Sequence, residues 1–218
     1  MGWKLPIVMT RADGQTLQSF VDDAYRTRMQ LDESVKTAIE ALNPSLMESF
    51  ALTFEGFHWI FDWTLSEKSI QKPLPVKYPV WVFFLHSVVN GYGFSRQVDG
   101  AIARSRLGNG SDDQIQIDQG EPSALERALV ARFANPGQED TAWHTWCHTA
   151  TSFAGKLEEE TTHDLIGEDI VFGLMDELTG FRMDAESPQS DAFETARALQ
   201  IVRPGGFVAR LFGMGAKR

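Results

Sequence analysis

The amino-acid sequence predicts an all-α protein, a helical bundle of two long helical hairpins with shorter helices crossing them. Three observations favour this fold class. Apolar residues recur at helical spacing over residues 16–42. The stretch at 45–65 is apolar around most of a helical circumference, which is typical of a helix in the middle of a bundle. A third long stretch with helical periodicity covers residues 139–166.

The first predicted hairpin joins a helix at 16–42 to a central helix at 45–69. Pro44 ends the first helix, and Ser45 with Glu48 three residues later has the pattern of a capping box that begins the second. Because the connection is so short, the two helices should pack against each other in antiparallel orientation.

The segments on either side of this hairpin are shorter. Residues 3–9 form a strand-like lead-in, and residues 71–79 contain three prolines and form a loop. The apolar run at 80–89 suits either a strand or a buried helix, and its position among predicted helices favours the helix. A further helix is expected at 95–107.

The second half of the chain is also predicted to be helical. A polar, glycine-containing loop at 108–122 is a candidate subdomain boundary. Ser123 and Glu126 then form a second capping box pattern. Gly167 should break or kink the long helix that follows. The helices expected after the loop span residues 123–134, 139–166, 170–181 and 191–202.

The predicted domain organisation is one helical domain at 1–203 and a basic C-terminal tail at 204–218. From Arg197 onwards there are five basic residues and no acidic one. The favoured interpretation is a tail that folds back on the acidic body or frays. Partner docking is the sharper alternative, and weak attachment to a membrane surface is a third. The docking peptide would use three apolar anchors and one cation at the rim, namely Phe207, Leu211, Phe212 and Arg210.

Composition excludes several classes of function. A net charge of −10 over 218 residues argues against nucleic-acid binding, which needs clustered Lys and Arg. The longest apolar run is too short to span a bilayer, so no membrane insertion is expected. The single cysteine, Cys147, suits a reducing compartment, and a cytoplasmic location is the default expectation. The oligomeric state stays open.

One pattern points to metal chemistry. Glu55 with His58, and Glu160 with His163, are both Glu-x-x-His pairs, and Glu33 lies opposite Glu55 in the predicted hairpin. This pattern resembles the ligand set of ferritin-like di-metal carboxylate proteins, which implies an oxidase or oxygenase with iron or manganese. Against it, His163 should point away from the apolar face of its helix.

The remaining residue types give no sign of catalysis. His144 and His148 are expected on the surface of a helix, while His58 and His86 lie in aromatic runs and are expected in the core. The sequence has no glycine-rich phosphate loop and no nucleophile elbow. We therefore expect a non-catalytic protein-binding protein of the adaptor, inhibitor or immunity type. It would use an acidic helical surface, need no cofactor, and meet a partner that is basic. The di-metal enzyme is the alternative.

Overall fold

The computed structural model describes residues 4–42, 44–45, 48–86, 91–109, 114–127, 162–180, 183 and 187–203. These residues are built around one antiparallel sheet of nine strands in the order β2-β9-β3-β4-β1-β5-β6-β7-β8. The predicted all-α bundle is therefore wrong. The strands are β1 (Lys4–Arg11), β2 (Gln30–Thr37), β3 (Phe50–Phe54), β4 (Phe57–Phe61), β5 (Val80–His86), β6 (Gly91–Val98), β7 (Ala101–Asn109), β8 (Gln114–Gln119) and β9 (Arg197–Val202). The helices are α1 (Leu17–Tyr25), α2 (Ala38–Ala41), α3 (Trp63–Gln71), α4 (Thr162–Thr179) and α5 (Pro188–Thr195).

Helices cover both faces of this sheet. Successive side chains of a strand point to opposite faces, and each face here has its own apolar core. On β1, Leu5 and Met9 pack in the core that includes residues of α2, α4 and α5, and we call this side the α4 face. Val8 packs in the other core, with residues of α1 and α3, and this side is the α1 face. The architecture is thus three layers with the sheet in the middle.

The aromatic-rich stretch predicted as the central helix is a β-hairpin followed by a helix. β3 and β4 pair in register from Phe50 opposite Phe61 to Phe54 opposite Phe57. The two-residue turn between them, Glu55-Gly56, has positive φ angles of 47° and 74°, as short hairpin turns require. Every residue of β4 is buried. Both strands lie in the interior of the sheet, so apolar residues point to both faces and no alternation marks them as strands.

Other predicted helices also turn out to contain strands. Residues 80–86 form β5, so the helical interpretation of that run is wrong. Residues 16–42 divide into α1, β2 and α2, the predicted helix at 95–107 belongs to β6 and β7, and the loop at 108–122 contains β8. The predicted helix at 191–202 is the end of α5 and then β9. The strand-like lead-in is confirmed by β1, and most of the helix at 170–181 by α4, which continues through Gly167. Residues 128–161 lie outside the described part of the chain.

A polar cluster on the hairpin joins three elements. Asp62, which is 8% exposed, caps α3 by accepting a hydrogen bond from the backbone N–H of Leu65 at 2.7 Å. Its other oxygen accepts hydrogen bonds from the hydroxyls of Tyr25, at 2.6 Å, and Ser49. Burial raises the pKa of the Tyr25 phenol above its usual value, and the nearby charge of Asp62 raises it further. The cluster therefore ties the end of α1 to β3 and α3.

We expect stability to fall at alkaline pH because of Tyr25. Its pKa is higher in the folded than in the unfolded chain, where it is about 10. The folded state thus holds the proton more tightly, so this contribution is complete below about pH 10 and is lost as the pH rises above that value. Tyr25→Phe should lower the free energy of unfolding at pH 7 by about 1 kcal/mol, through the lost hydrogen bond, yet flatten the alkaline decline.

Urea denaturation of the wild type and Tyr25→Phe at several values between about pH 7 and pH 11 tests this expectation. Tyr78→Phe is the comparison, because burial also raises the pKa of Tyr78 but its hydroxyl pairs with Asp23 at an exposed position, so this variant should flatten the alkaline decline less than Tyr25→Phe. Identical alkaline slopes for the wild type and Tyr25→Phe would contradict the assignment.

Candidate functional site

Two buried arginines lie side by side on the α4 face, near one end of the sheet. Arg104 and Arg106 are two residues apart on β7, so both side chains point to the same face, and they are only 5% and 8% exposed. β6 supplies their cross-strand neighbours, with Arg96 opposite Arg104 and Phe94 opposite Arg106. Since lysine and arginine are rarely buried without partners, this pair marks an unusual part of the sheet.

Arg104 is held by carboxylates and carbonyls on all three of its guanidinium nitrogens. Its Nε and Nη2 donate to Oε1 of Glu126 at 2.9 and 2.6 Å. Its Nη1 donates to Asp118 and to the carbonyl oxygens of Gln119 and Gly120, each at 3.1 Å. Burial alone would lower the pKa of Arg104, but its bonds to Glu126 and Asp118 outweigh this and raise the pKa. The guanidinium stays charged and fixed in place.

Glu126 is positioned by the capping box that the sequence predicts. Ser123 donates its backbone N–H to Oε2 of Glu126 at 2.8 Å, and the Ser123 hydroxyl accepts the backbone N–H of Glu126 at 3.0 Å. Residues 124–127 are helical. The Glu126 carboxylate is 1% exposed; its Oε1 accepts from Arg104, and its Oε2 accepts from the cap and, at 3.3 Å, from Nε of Arg104. Such complete pairing is the condition under which buried charges are tolerated.

Gly120 lets the chain reach this position. Its φ is +82°, and a Cβ built there would lie 2.1 Å from the carbonyl oxygen of Ala103 on β7. No other amino acid fits so close to the neighbouring backbone. The glycine therefore allows residues 120–126 to turn from the edge strand β8 onto the α4 face, where Glu126 meets Arg104.

A cavity of about 260 Å³ lies beside this ion pair, between β5–β7 and α4. We call it the Arg104 cavity. Aromatic side chains of the sheet and leucines of α4 form its apolar walls, and the paired Arg104 and Glu126 form its polar floor. The lining residues are Trp81, Phe83, Phe94, Ser95, Arg96, Arg104, Glu121, Ser123, Glu126, Leu174, Glu177 and Leu178.

Three charged residues at the mouth of the cavity differ from those on its floor in being exposed and, among the described residues, unpaired. Arg96, Glu121 and Glu177 are exposed and form no ion pair within the described part of the chain. The floor charges neutralise each other, so the mouth carries one more carboxylate than cation. The cavity can bind a ligand non-covalently. Its buried acid, Glu126, and its buried base, Arg104, are paired with each other and are not available for proton transfer.

The residues singled out from the sequence do not gather at this site. Glu55 lies in the β3–β4 turn, and Glu33 lies on the edge strand β2 opposite Leu199. His58 is confirmed as a core residue, 4% exposed, and its ring contacts the Thr53 hydroxyl at 2.8 Å and the Gln15 carbonyl oxygen at 3.1 Å. The helical spacing assumed for Glu55 and His58 is thus absent.

The rest of the predicted metal set and the docking peptide lie outside the described side chains. Glu160 lies outside the described residues, as do Phe207, Arg210, Leu211 and Phe212, and nothing is described of the His163 side chain, although its backbone belongs to α4. Their metal-binding and partner-binding roles stay predictions. Among the described residues, no group of three or more His, Cys, Asp and Glu side chains could hold a metal ion.

Sequence reasoning missed Arg104 and the aromatic walls of the cavity. A signal was present, since Tyr92, Phe94 and Arg96 alternate with small or polar residues, and Arg104 and Arg106 repeat the same spacing. A period of two in both runs indicates paired strands with arginines on one face. The helical interpretation of residues 95–107 hid it.

None of the described helices combines the length and the apolar character needed to cross a membrane. Comparison with known proteins shows that no protein family, no curated protein and no solved structure matches this chain.

Proposed function

We propose that this protein is a non-catalytic binding protein that recognises a protein partner, with the Arg104 cavity as its recognition site. The observation that carries the proposal is which charged side chains of the cavity form ion pairs and which do not. Its buried charges are paired with each other, while exposed charges at its mouth have no partner in the described chain. A catalytic acid or base needs a proton that it can release or accept, whereas a binding site needs fixed walls and available rim charges.

The fixed floor favours recognition. Arg104 bonds to two carboxylates and two carbonyls, and Phe94 lies under its guanidinium with the Arg104 Cζ 5.7 Å from the ring centroid. A site whose shape is set before binding loses less entropy when the partner arrives.

The size of the cavity favours one side chain over a whole cofactor. Pockets for small molecules usually measure about 300–1,000 Å³. At about 260 Å³ the Arg104 cavity lies just below this range. An inserted side chain of a protein partner would fit within it, with the remaining affinity coming from the surrounding surface.

Composition supports the nature of the partner and its location. A net charge of −10 attracts basic proteins over long distances and disfavours nucleic acids. The acidic helical surface expected from the sequence is replaced in this proposal by a rim made jointly by a sheet and a helix. One cysteine in 218 residues suits the reducing cytoplasm, where we place the protein.

Selection of a random peptide library on the immobilised full chain tests the cavity as the recognition site. Leu178→Trp places a bulkier side chain in the cavity from α4 and should weaken binding of the selected peptides by about tenfold or more, as expected when a central anchor is obstructed. Ile39→Trp is the matched control, because Ile39 is an exposed apolar residue outside the cavity and its replacement should leave binding unchanged.

Two results would contradict the proposal. Either no peptide is enriched over a blank surface, or the selected peptides bind Leu178→Trp as tightly as the wild type. Both variants are checked for a wild-type circular dichroism spectrum and melting temperature before binding is compared.

A further inference from the structure

We infer that the Arg104 cavity selects a cationic side chain, arginine or lysine, of its partner. This inference rests on the proposed function, because it names the group that the recognition site takes. It starts from the charges that remain once the floor of the cavity is paired. Glu126 is neutralised by Arg104, which leaves Glu121 and Glu177 against Arg96 at the mouth. A cation entering the mouth meets a net negative charge.

The walls of the cavity fit the rest of such a side chain. Lys and Arg carry an apolar stem that packs on apolar surface while the charged end stays near water. Leu174 and Leu178 of α4 offer that surface on one side of the cavity, and Trp81 of β5 also lines it. A cation close to the face of a tryptophan ring is also attracted by its electrons.

The floor excludes an anionic group as the main ligand. A carboxylate or phosphate would need a free buried cation, and Arg104 already bonds to Glu126, Asp118 and two carbonyl oxygens. Arg106 does not line the cavity, and it is paired with Asp118 at 3.6 Å and with the Tyr92 hydroxyl at 3.3 Å. Arg96 is the cation at the mouth, and two carboxylates of the same rim oppose it. The preference for a cation thus follows from which charges are paired and which are free.

A set of matched peptides tests the inference. The probes are acetyl-Gly-Gly-X-Gly-Gly-amide, in which X is arginine, lysine, glutamate or citrulline, the neutral analogue of arginine. Binding is followed by changes in the amide NMR shifts of β5, β6, β7 and α4 in the full chain. The arginine and lysine peptides should bind roughly three- to thirtyfold more tightly than the citrulline peptide, the range expected for one cation in an aromatic site.

Charge variants at the mouth should move the affinity in opposite directions. Glu177→Gln and Glu121→Gln should each weaken binding of the arginine peptide by a few-fold, and Arg96→Gln should strengthen it by a similar factor. Glu194→Gln is the control, because this exposed residue of α5 does not line the cavity. All four positions are exposed, so the variants should fold normally.

The outcomes separate this inference from the proposed function. If the citrulline or glutamate peptide binds as tightly as the arginine peptide, or if Arg96→Gln and Glu177→Gln shift affinity the same way, cation selection is wrong while the recognition site stands. If no probe binds and peptide selection on the full chain also fails, the proposed function falls together with the inference.

Discussion

Replacing Arg104 with methionine is expected to lower the free energy of unfolding by about 3–5 kcal/mol. The change leaves the Glu126 carboxylate, which is 1% exposed, without its cation, and also removes the donor to two backbone carbonyls. An uncompensated buried charge is one of the few causes of so large an effect. Urea denaturation at pH 7 measures it, and the cavity floor should be lost at the same time.

The double variant Arg104→Met with Glu126→Leu shows whether the charge is responsible. Removing both partners leaves no buried unpaired carboxylate, because Asp118 is 42% exposed and keeps Arg106 at 3.6 Å. The stability should therefore return to within about 2 kcal/mol of the wild type, and the remaining difference reflects the lost helix cap. Glu48→Gln is the surface comparison. It breaks a Lys36–Glu48 pair of 2.9 Å whose side chains are 32% and 34% exposed, and should cost less than about 1 kcal/mol. A double variant as unstable as Arg104→Met alone would show that packing, and not charge, dominates.

Gly120→Ala should be destabilising by more than about 3 kcal/mol. Its φ of +82° is strained for alanine, and the added Cβ would lie 2.1 Å from the Ala103 carbonyl oxygen, so the backbone of β7 or of residues 119–121 must move. The movement would pull the Gln119 and Gly120 carbonyls away from Arg104. We expect a lower melting temperature and weaker binding at the cavity together.

Gly14→Ala measures the cost of a positive φ for alanine without the steric clash of a Cβ against a neighbouring backbone. Gly14 has a similar φ of +76°, but a Cβ there would meet nothing within 4 Å. It should therefore cost only the strain of the left-handed region, about 1–2 kcal/mol. If both variants lose the same stability, the close approach of Gly120 to β7 has no energetic importance.

Local signals in the sequence were reliable where one short pattern determines one interaction. The capping box of Ser123 and Glu126 is present, and His58 is buried. Ser45 and Glu48 also interact, through the Ser45 backbone N–H and the Glu48 carboxylate at 3.3 Å. The Ser45 and Glu48 pattern does not start a helix, since residues 48–49 are not helical and β3 begins at Phe50. Short motifs predict contacts better than they predict elements.

The fold class was missed because of burial on both faces. Phe57, Trp59 and Phe61 point to the α4 face, while His58 and Ile60 belong to the opposite side, which helices also cover. A strand covered on both faces loses the alternation that identifies strands in a sequence. Dense apolar residues then match a helical stripe by chance. The Glu55-Gly56 pair is only a weak sequence signal for a hairpin turn, since Asn-Gly or Asp-Gly is the usual one.

The candidate site could not be predicted because its members come together only in the sheet. Arg104 and Glu126 are separated by 22 residues, and their pairing depends on the crossing at Gly120. The sequence shows the arginine, the acid and the glycine, but not the strand register that places them on one face.

The position of β9 has a consequence for how the protein is made. β2 joins the sheet only through β9, and β9 also pairs with β3. The early strand β2 therefore gains no strand partner until residues 197–202 have left the ribosome. Such distant pairing slows folding and leaves unpaired strand edges available to other chains. During synthesis, a nascent chain that stops short of residue 197 would have an unpaired β2 and an open edge at β3, both available to other chains.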